Sequence, residues 1–173
     1  MPGSGSIDLA RHRDLEGRRA GPWTRRAVRA LFAAWAIVVL FGLIGQHPKA
    51  QTSTAPAGSL QVRSPTRLRG GNYFQERITV TASKQIQNPR LVLDSGWFDG
   101  ITINTIEPQA SQELSRRDST VLEYNQLSPG DKLTVWIESQ VNPTTVGRRL
   151  QSISLDDGNV QIARDTRHLT VFP

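Results

Sequence analysis

A chain of 173 residues with no cysteine has room for one ordinary domain plus accessory segments, and it excludes a disulfide framework, a thiolate metal site and a cysteine nucleophile. The net charge of +6 is uneven: seven arginines and three acidic residues precede residue 46, whereas 14 basic and 12 acidic residues follow it. That excess lies beside a hydrophobic run, which argues for membrane topology and against nucleic-acid binding.

Residues 1–26 are rich in Gly and Arg and poor in apolar side chains, the composition of a disordered basic tail. Residues 27–45 follow as a predicted transmembrane helix, uncharged from Ala30 to Gly45. A span needs about 20 apolar residues, and Arg29 at the near end can snorkel to the headgroups. Arg18, Arg19, Arg25, Arg26 and Arg29 precede the run while only Lys49 follows closely, so the tail is expected in the cytoplasm and the rest outside it. A cleaved signal peptide is the rival reading. The run is long for one, and the nearest cleavage positions, Ala50 and Ala55, have Pro48 and Pro56 beside them.

Residues 46–59, with Pro, Ser, Thr, Ala and Gly and no apolar period, read as a linker. From residue 60 to 173 apolar residues alternate in short runs. The pairs are Leu60/Val62, Ile78/Val80, Leu91/Leu93, Ile101/Ile103, Leu122/Tyr124, Val135/Ile137, Ile153/Leu155, Val160/Ile162 and Leu169/Val171. Turn residues separate the runs, including Gly70-Gly71-Asn72, Asn88-Pro89, Pro129-Gly130-Asp131 and Asp156-Asp157-Gly158-Asn159. Seven to nine short strands without an intervening helix predict a mainly β, antiparallel sandwich or barrel preceded by one transmembrane helix.

The stretch Tyr124-Asn125-Gln126-Leu127-Ser128-Pro129-Gly130-Asp131, followed by the alternating Leu133, Val135 and Ile137, resembles the penultimate turn of bacterial immunoglobulin-like domains of the cell-adhesion type. The resemblance covers roughly residues 60–173. It implies an immunoglobulin-like β-sandwich in which Leu127 plugs one end and Pro129-Gly130 makes the turn. The whole-chain pattern, with GWFDG at 96–100, QVNPTTVGRR at 140–149 and a terminal TVFP at 170–173, is also similar to short single-pass membrane proteins of actinobacteria, a family that implies no activity.

Candidate binding residues are few. Trp97 and Phe98 lie in a turn, either as an exposed recognition tip or folded back over the sandwich end. Arg148 and Arg149 close a loop after Pro143 and are candidates for an acidic polymer, a phosphate or a partner carboxylate, against a solvated hairpin loop as the plainer reading. Trp136 falls out of phase with Val135 and Ile137 and is expected on the outer sheet face. Asp94, Asp99, Asp156 and Asp157 lack the spacing of a calcium loop, and turn chemistry accounts for them; no metal or cofactor is expected.

Of the three histidines only His168 lies in the domain, and no nucleophile elbow, zinc-protease or phosphate-loop motif is present. The expectation is a non-catalytic interaction or accessory protein at the cell membrane. Its partners would be the bilayer and another membrane protein or a second copy. A cell-envelope polymer-binding module is the alternative, and an enzyme the least favoured.

Overall fold

The computed structural model describes residues 21–40 and 47–173. Two compact units divide after Gly45. The first contributes one described helix, α1 (Gly21–Leu40). Pro22 sits in its first turn, where a missing N–H costs no helical bond. Leu31, Phe32, Trp35, Ile37 and Leu40 are all exposed, so apolar side chains emerge around the helix. No helix among the described residues is long and apolar enough to cross a membrane. Arg25, Arg26 and Arg29 occupy the first half of α1, and residues 41–45 of the expected span lie outside the described residues, as do residues 1–20 of the expected tail.

The second unit is built of strands. In chain order they are β1 (Pro48–Ala55), β2 (Gly58–Pro65), β3 (Arg67–Arg69), β4 (Tyr73–Ala82), β5 (Pro89–Asp94), β6 (Ile101–Glu107), β7 (Gln112–Arg116), β8 (Ser119–Glu123), β9 (Lys132–Val141), β10 (Gly147–Asp157) and β11 (Val160–Phe172). One 3-10 turn, Ser95–Trp97, interrupts them. Period-two alternation produces the inner faces: Val135 and Ile137 of β9 are fully buried while Lys132, Trp136 and Glu138 point out.

Two sheets form, ordered β1-β2-β4-β9-β6 and β3-β11-β10-β5-β8-β7. Lettering β2, β4, β5, β6, β9, β10 and β11 as A to G in chain order gives sheets A-B-E-D and C-F-G. That is the strand arrangement of an immunoglobulin sandwich. Three additions decorate it: β1 beside A, the short β3 beside G, and the β7–β8 hairpin inserted between D and E. All pairings are antiparallel except β3 with β11, which is parallel.

Three expectations need correction. Residues 48–55 are not linker: β1 pairs along its whole length with β2, and the two-residue turn Pro56-Ala57 joins them. An edge strand with one face in water needs no apolar alternation, so its Thr, Ser and Ala content hid it. Among the described residues the strands number eleven: Val160/Ile162 and Leu169/Val171 lie on one strand, β11, and β1, β3 and the fully exposed β7 carry no apolar period. The loop after Val141 is no hairpin. It carries the chain from β9 in one sheet to β10 in the other, which accounts for its length.

The Leu127–Asp131 turn has the anticipated build. Leu127 is buried and bridges to Ile86. Gly130 takes φ +94°, and Asp131 accepts a hydrogen bond from the Ser128 amide at 2.7 Å.

The core falls into two apolar clusters. The larger contains Leu60, Val62, Ile78, Val80, Leu93, Trp97, Val135 and Ile153. The smaller contains Leu68, Phe74, Ile101, Val141, Leu169 and Val171. Between them lies a layer of buried polar side chains: Ser64 on β2, Glu76 on β4, Ser139 on β9, Gln151 on β10, and Asp165 and Arg167 on β11.

Candidate functional site

The structure separates the five candidate binding residues. Trp97 is 1% exposed and belongs to the larger core cluster. Asp94 caps the 3-10 turn by accepting from the Gly96 amide at 3.1 Å, which swings Trp97 inward. Its indole Nε1 donates to the Ser152 carbonyl at 2.9 Å, and the Arg167 guanidinium stacks 4.6 Å from the ring centroid. A recognition tip needs an accessible ring, so the exposed reading of Trp97 is corrected. Phe98 is half-buried and packs against the same cluster.

Arg148 is exposed, whereas Arg149 is turned onto the turn at Asp99. Arg149 Nη1 donates to the Asp99 carbonyl and lies 3.9 Å from its carboxylate. The two arginines therefore do not act as one cationic pair. Arg149 ties the start of β10 to the Trp97 turn, and Thr145 of the β9–β10 connection does the same by donating Oγ1 to the Gly100 carbonyl at 3.1 Å.

Trp136 does reach the outer face of its sheet, 37% exposed. Arg77, its cross-strand partner on β4, lies 5.2 Å from the ring centroid and covers one side of it. Beside it is a shallow depression of about 270 Å³ lined by Gln75, Thr105, Glu107, Trp136 and Glu138. Its floor is pre-set: Glu138 accepts from Thr105 Oγ1 at 3.1 Å and from Gln75 Nε2 at 3.4 Å.

Thr105 and Glu107 also line a second and larger feature, a groove of about 680 Å³. Leu93 of β5 and Leu122 of β8 make its floor, Glu113 of β7 stands on the far side, and residues 103–107 of β6 form the near wall. Successive residues of a strand face opposite ways, so five consecutive lining residues mean that the edge of β6 itself borders the groove. Among the described residues β6 pairs only with β9, which leaves that edge unpaired. Phe98, Ile103, Ile106 and Ala110 are half-buried, pack on the larger core cluster and line the groove, so the core opens here. Tyr124, in the larger core cluster, has its hydroxyl pushed up to about 12 by burial and, secondarily, by the Glu113 charge.

Further shifted groups lie in the polar layer. Arg167 Nη2 meets Glu76 Oε1 at 2.8 Å, and Ser64 Oγ donates to the same oxygen at 2.7 Å. Burial pushes the Glu76 carboxyl up, against the opposing pull of Arg167 and the Ser64 bond. Burial also raises Asp165, opposed by Arg167, and lowers Arg167, opposed by Glu76 and Asp165. Among the described residues Ser139 Oγ, Gln151 Nε2, Asp165 Oδ2 and Arg167 Nη1 find no hydrogen-bond partner.

Sequence reasoning passed over Glu76 and Arg167, although a signal existed. Glu76 shares the inward parity of Ile78 and Val80, and Arg167 that of Leu169 and Val171. Three of the four aspartates weighed for calcium are otherwise engaged: Asp157 accepts from the Asn88 amide at 2.8 Å, Asp94 caps the 3-10 turn, and Asp99 faces Arg149. No group of three or more His, Asp or Glu is placed to hold a metal among the described residues. His168 is exposed on β11.

No family model matches the chain, and no curated protein matches it. Among solved structures, it is similar to a non-cellulosomal cohesin from the hyperthermophilic archaeon Archaeoglobus fulgidus, with 10% identity, a TM-score of 0.40, and coverage of 62% of this chain and 86% of that one. A CARDB domain from Pyrococcus furiosus, in complex with di-metal ions, is 13% identical with a TM-score of 0.40, covering 68% and 96%. The N-terminal domain of PorA is 9% identical with a TM-score of 0.27, covering 70% and 82%. Likeness at this level fixes neither ligand nor activity; the immunoglobulin-like assignment follows from the strand order.

Proposed function

We propose that this chain is a non-catalytic interaction module whose contact surface is the β6 edge, held at the cell membrane with its sandwich outside the cytoplasm. The observation that carries the first part is the shared rim. Thr105 and Glu107 border both the groove and the Trp136 depression, so one edge strand joins an opening of the core to a partly exposed tryptophan. Aromatic anchors beside half-buried apolar side chains are the usual make-up of a contact centre. The polar groups nearby are engaged in holding Glu138 and Trp136 in place, an arrangement suited to recognition.

The membrane part rests on different observations. α1 presents uncovered apolar side chains around its circumference, a pattern that calls for lipid or a partner helix. Arg11, Arg13, Arg18 and Arg19 precede α1 and Arg25, Arg26 and Arg29 occupy its first half, an asymmetry that favours a cytoplasmic tail.

Crosslinked affinity capture of the full-length protein from its native membrane tests the module, run beside Trp136→Ala and Ile106→Asp variants. The proposal expects a stoichiometric membrane partner with wild type and its loss with both variants. Equal recovery with folded variants contradicts this surface. A second reading, envelope polymer binding, draws on Trp136 with Gln75 and Glu138 as a platform of one ring and hydrogen-bonding groups. Sedimentation of the full chain with isolated envelope, abolished by Trp136→Ala, would favour it instead.

A further inference from the structure

Resting on the reading that the β6 edge is the contact surface, we infer the class of its occupant: an extended peptide strand of alternating apolar and basic residues, which pairs with β6 and completes the shorter sheet. In the immunoglobulin arrangement D is the edge of one sheet and C lies near the edge of the other. Here the β7–β8 hairpin extends the second sheet by two strands beyond C, whereas the first sheet still ends at D, which is β6. The extension has no counterpart strand, and the groove between Leu122, Glu113 and β6 is the gap that results.

A strand laid along β6 would satisfy its unpaired backbone groups and occupy that gap. Strand addition draws affinity from main-chain hydrogen bonds and specificity from alternate side chains. Those on one side would meet Phe98, Ile103, Ile106 and Ala110, which calls for apolar residues there. The charged residues lining the groove are Glu107 and Glu113, with no Lys or Arg among the lining residues, which calls for cationic side chains at the rim. β6 departs from regular pairing with β9 between Ile103 and Thr105. Such irregularities discourage indiscriminate edge pairing and re-aim side chains, consistent with an edge selective for one partner.

The test uses the full chain and three synthetic octapeptides in excess: alternating Lys-Val, alternating Glu-Val, and the Lys-Val peptide N-methylated at two adjacent central residues to block both of its edges. Amide hydrogen exchange along residues 101–107 is the readout. The Lys-Val peptide is expected to slow the outward amides of β6 by roughly tenfold, while the other two leave them unchanged. In the Glu107→Lys/Glu113→Lys double variant the preference should pass to the Glu-Val peptide. Equal Ile106-dependent binding of the plain and N-methylated peptides, without protection of β6, overturns strand addition and leaves the contact surface itself standing. Absence of binding by any peptide overturns the occupant class, and capture with the Trp136 and Ile106 variants then decides the surface separately. Protection that rises with protein concentration without peptide gives the edge to a second copy and overturns the inference.

Discussion

Glu76 and Arg167 form a 2.8 Å ion pair between the two sheets, with both side chains under a tenth exposed. The pair sits where the larger apolar cluster gives way to the smaller, and the Trp97 ring lies against the guanidinium. Removing one member leaves a buried charge without its partner. Glu76→Ala or Arg167→Ala should each cost about 3–5 kcal/mol, whereas Glu76→Leu with Arg167→Met should restore most of that loss. Denaturant midpoints of the four proteins measure it. Additive losses in the double variant would contradict the pairing.

The same layer governs the pH response. Burial raises the carboxyls of Glu76 and Asp165 above their ordinary values of 4.5 and 3.8, outweighing Arg167. The native state then retains protons that the unfolded chain has released. Their contribution to stability is fully present below the ordinary carboxyl values and is lost as pH rises through the raised native ones. Unfolding midpoints recorded from acid toward neutral pH should fall less steeply for Glu76→Gln than for wild type. A steeper fall in the variant would reverse the sign and contradict the account.

Trp97 and Trp136 should respond oppositely. Trp97→Ala empties a core site and removes a hydrogen bond to Ser152, so a loss of about 3–5 kcal/mol is expected. Trp136→Ala removes a partly exposed ring and its contact with Arg77, worth about 0.5–1 kcal/mol. Thermal unfolding should therefore separate the two clearly, while partner capture is lost in the Trp136 variant with its fold intact.

Gly96 holds the 3-10 turn against β10. A Cβ there would stand 1.8 Å from the Leu150 carbonyl oxygen, a backbone atom unable to move aside without shifting the strand. Gly96→Ala should destabilise the domain by more than 1 kcal/mol, above the typical point substitution, and dislodge the Trp97 side chain. Tryptophan fluorescence of the variant checks the second effect.

The inner strands were legible because apolar residues at every second position leave little choice of face. Val135, Trp136 and Ile137 sort correctly on parity alone. β1 and β7 escaped because mostly exposed strands carry no such period. Trp97 was ambiguous because direction in a turn depends on the Asp94 cap and on room beneath it. The groove was invisible in principle: it arises from a mismatch in the extents of two sheets, which involves residues from 93 to 122 brought together only by the fold. Glu76 and Arg167 could have been found, since a charge in an inward slot on each of two strands asks for a partner across the core.

Site-specific photocrosslinking in the native envelope tests the central claim most directly. A photoreactive side chain is placed at position 105 or 106 on β6, and, as a control, at the exposed position 161 on β11. Adducts to a defined partner from 105 and 106, with none from 161, are predicted. Adducts from 161 with silence at 105 and 106 would place the contact surface elsewhere and contradict the account.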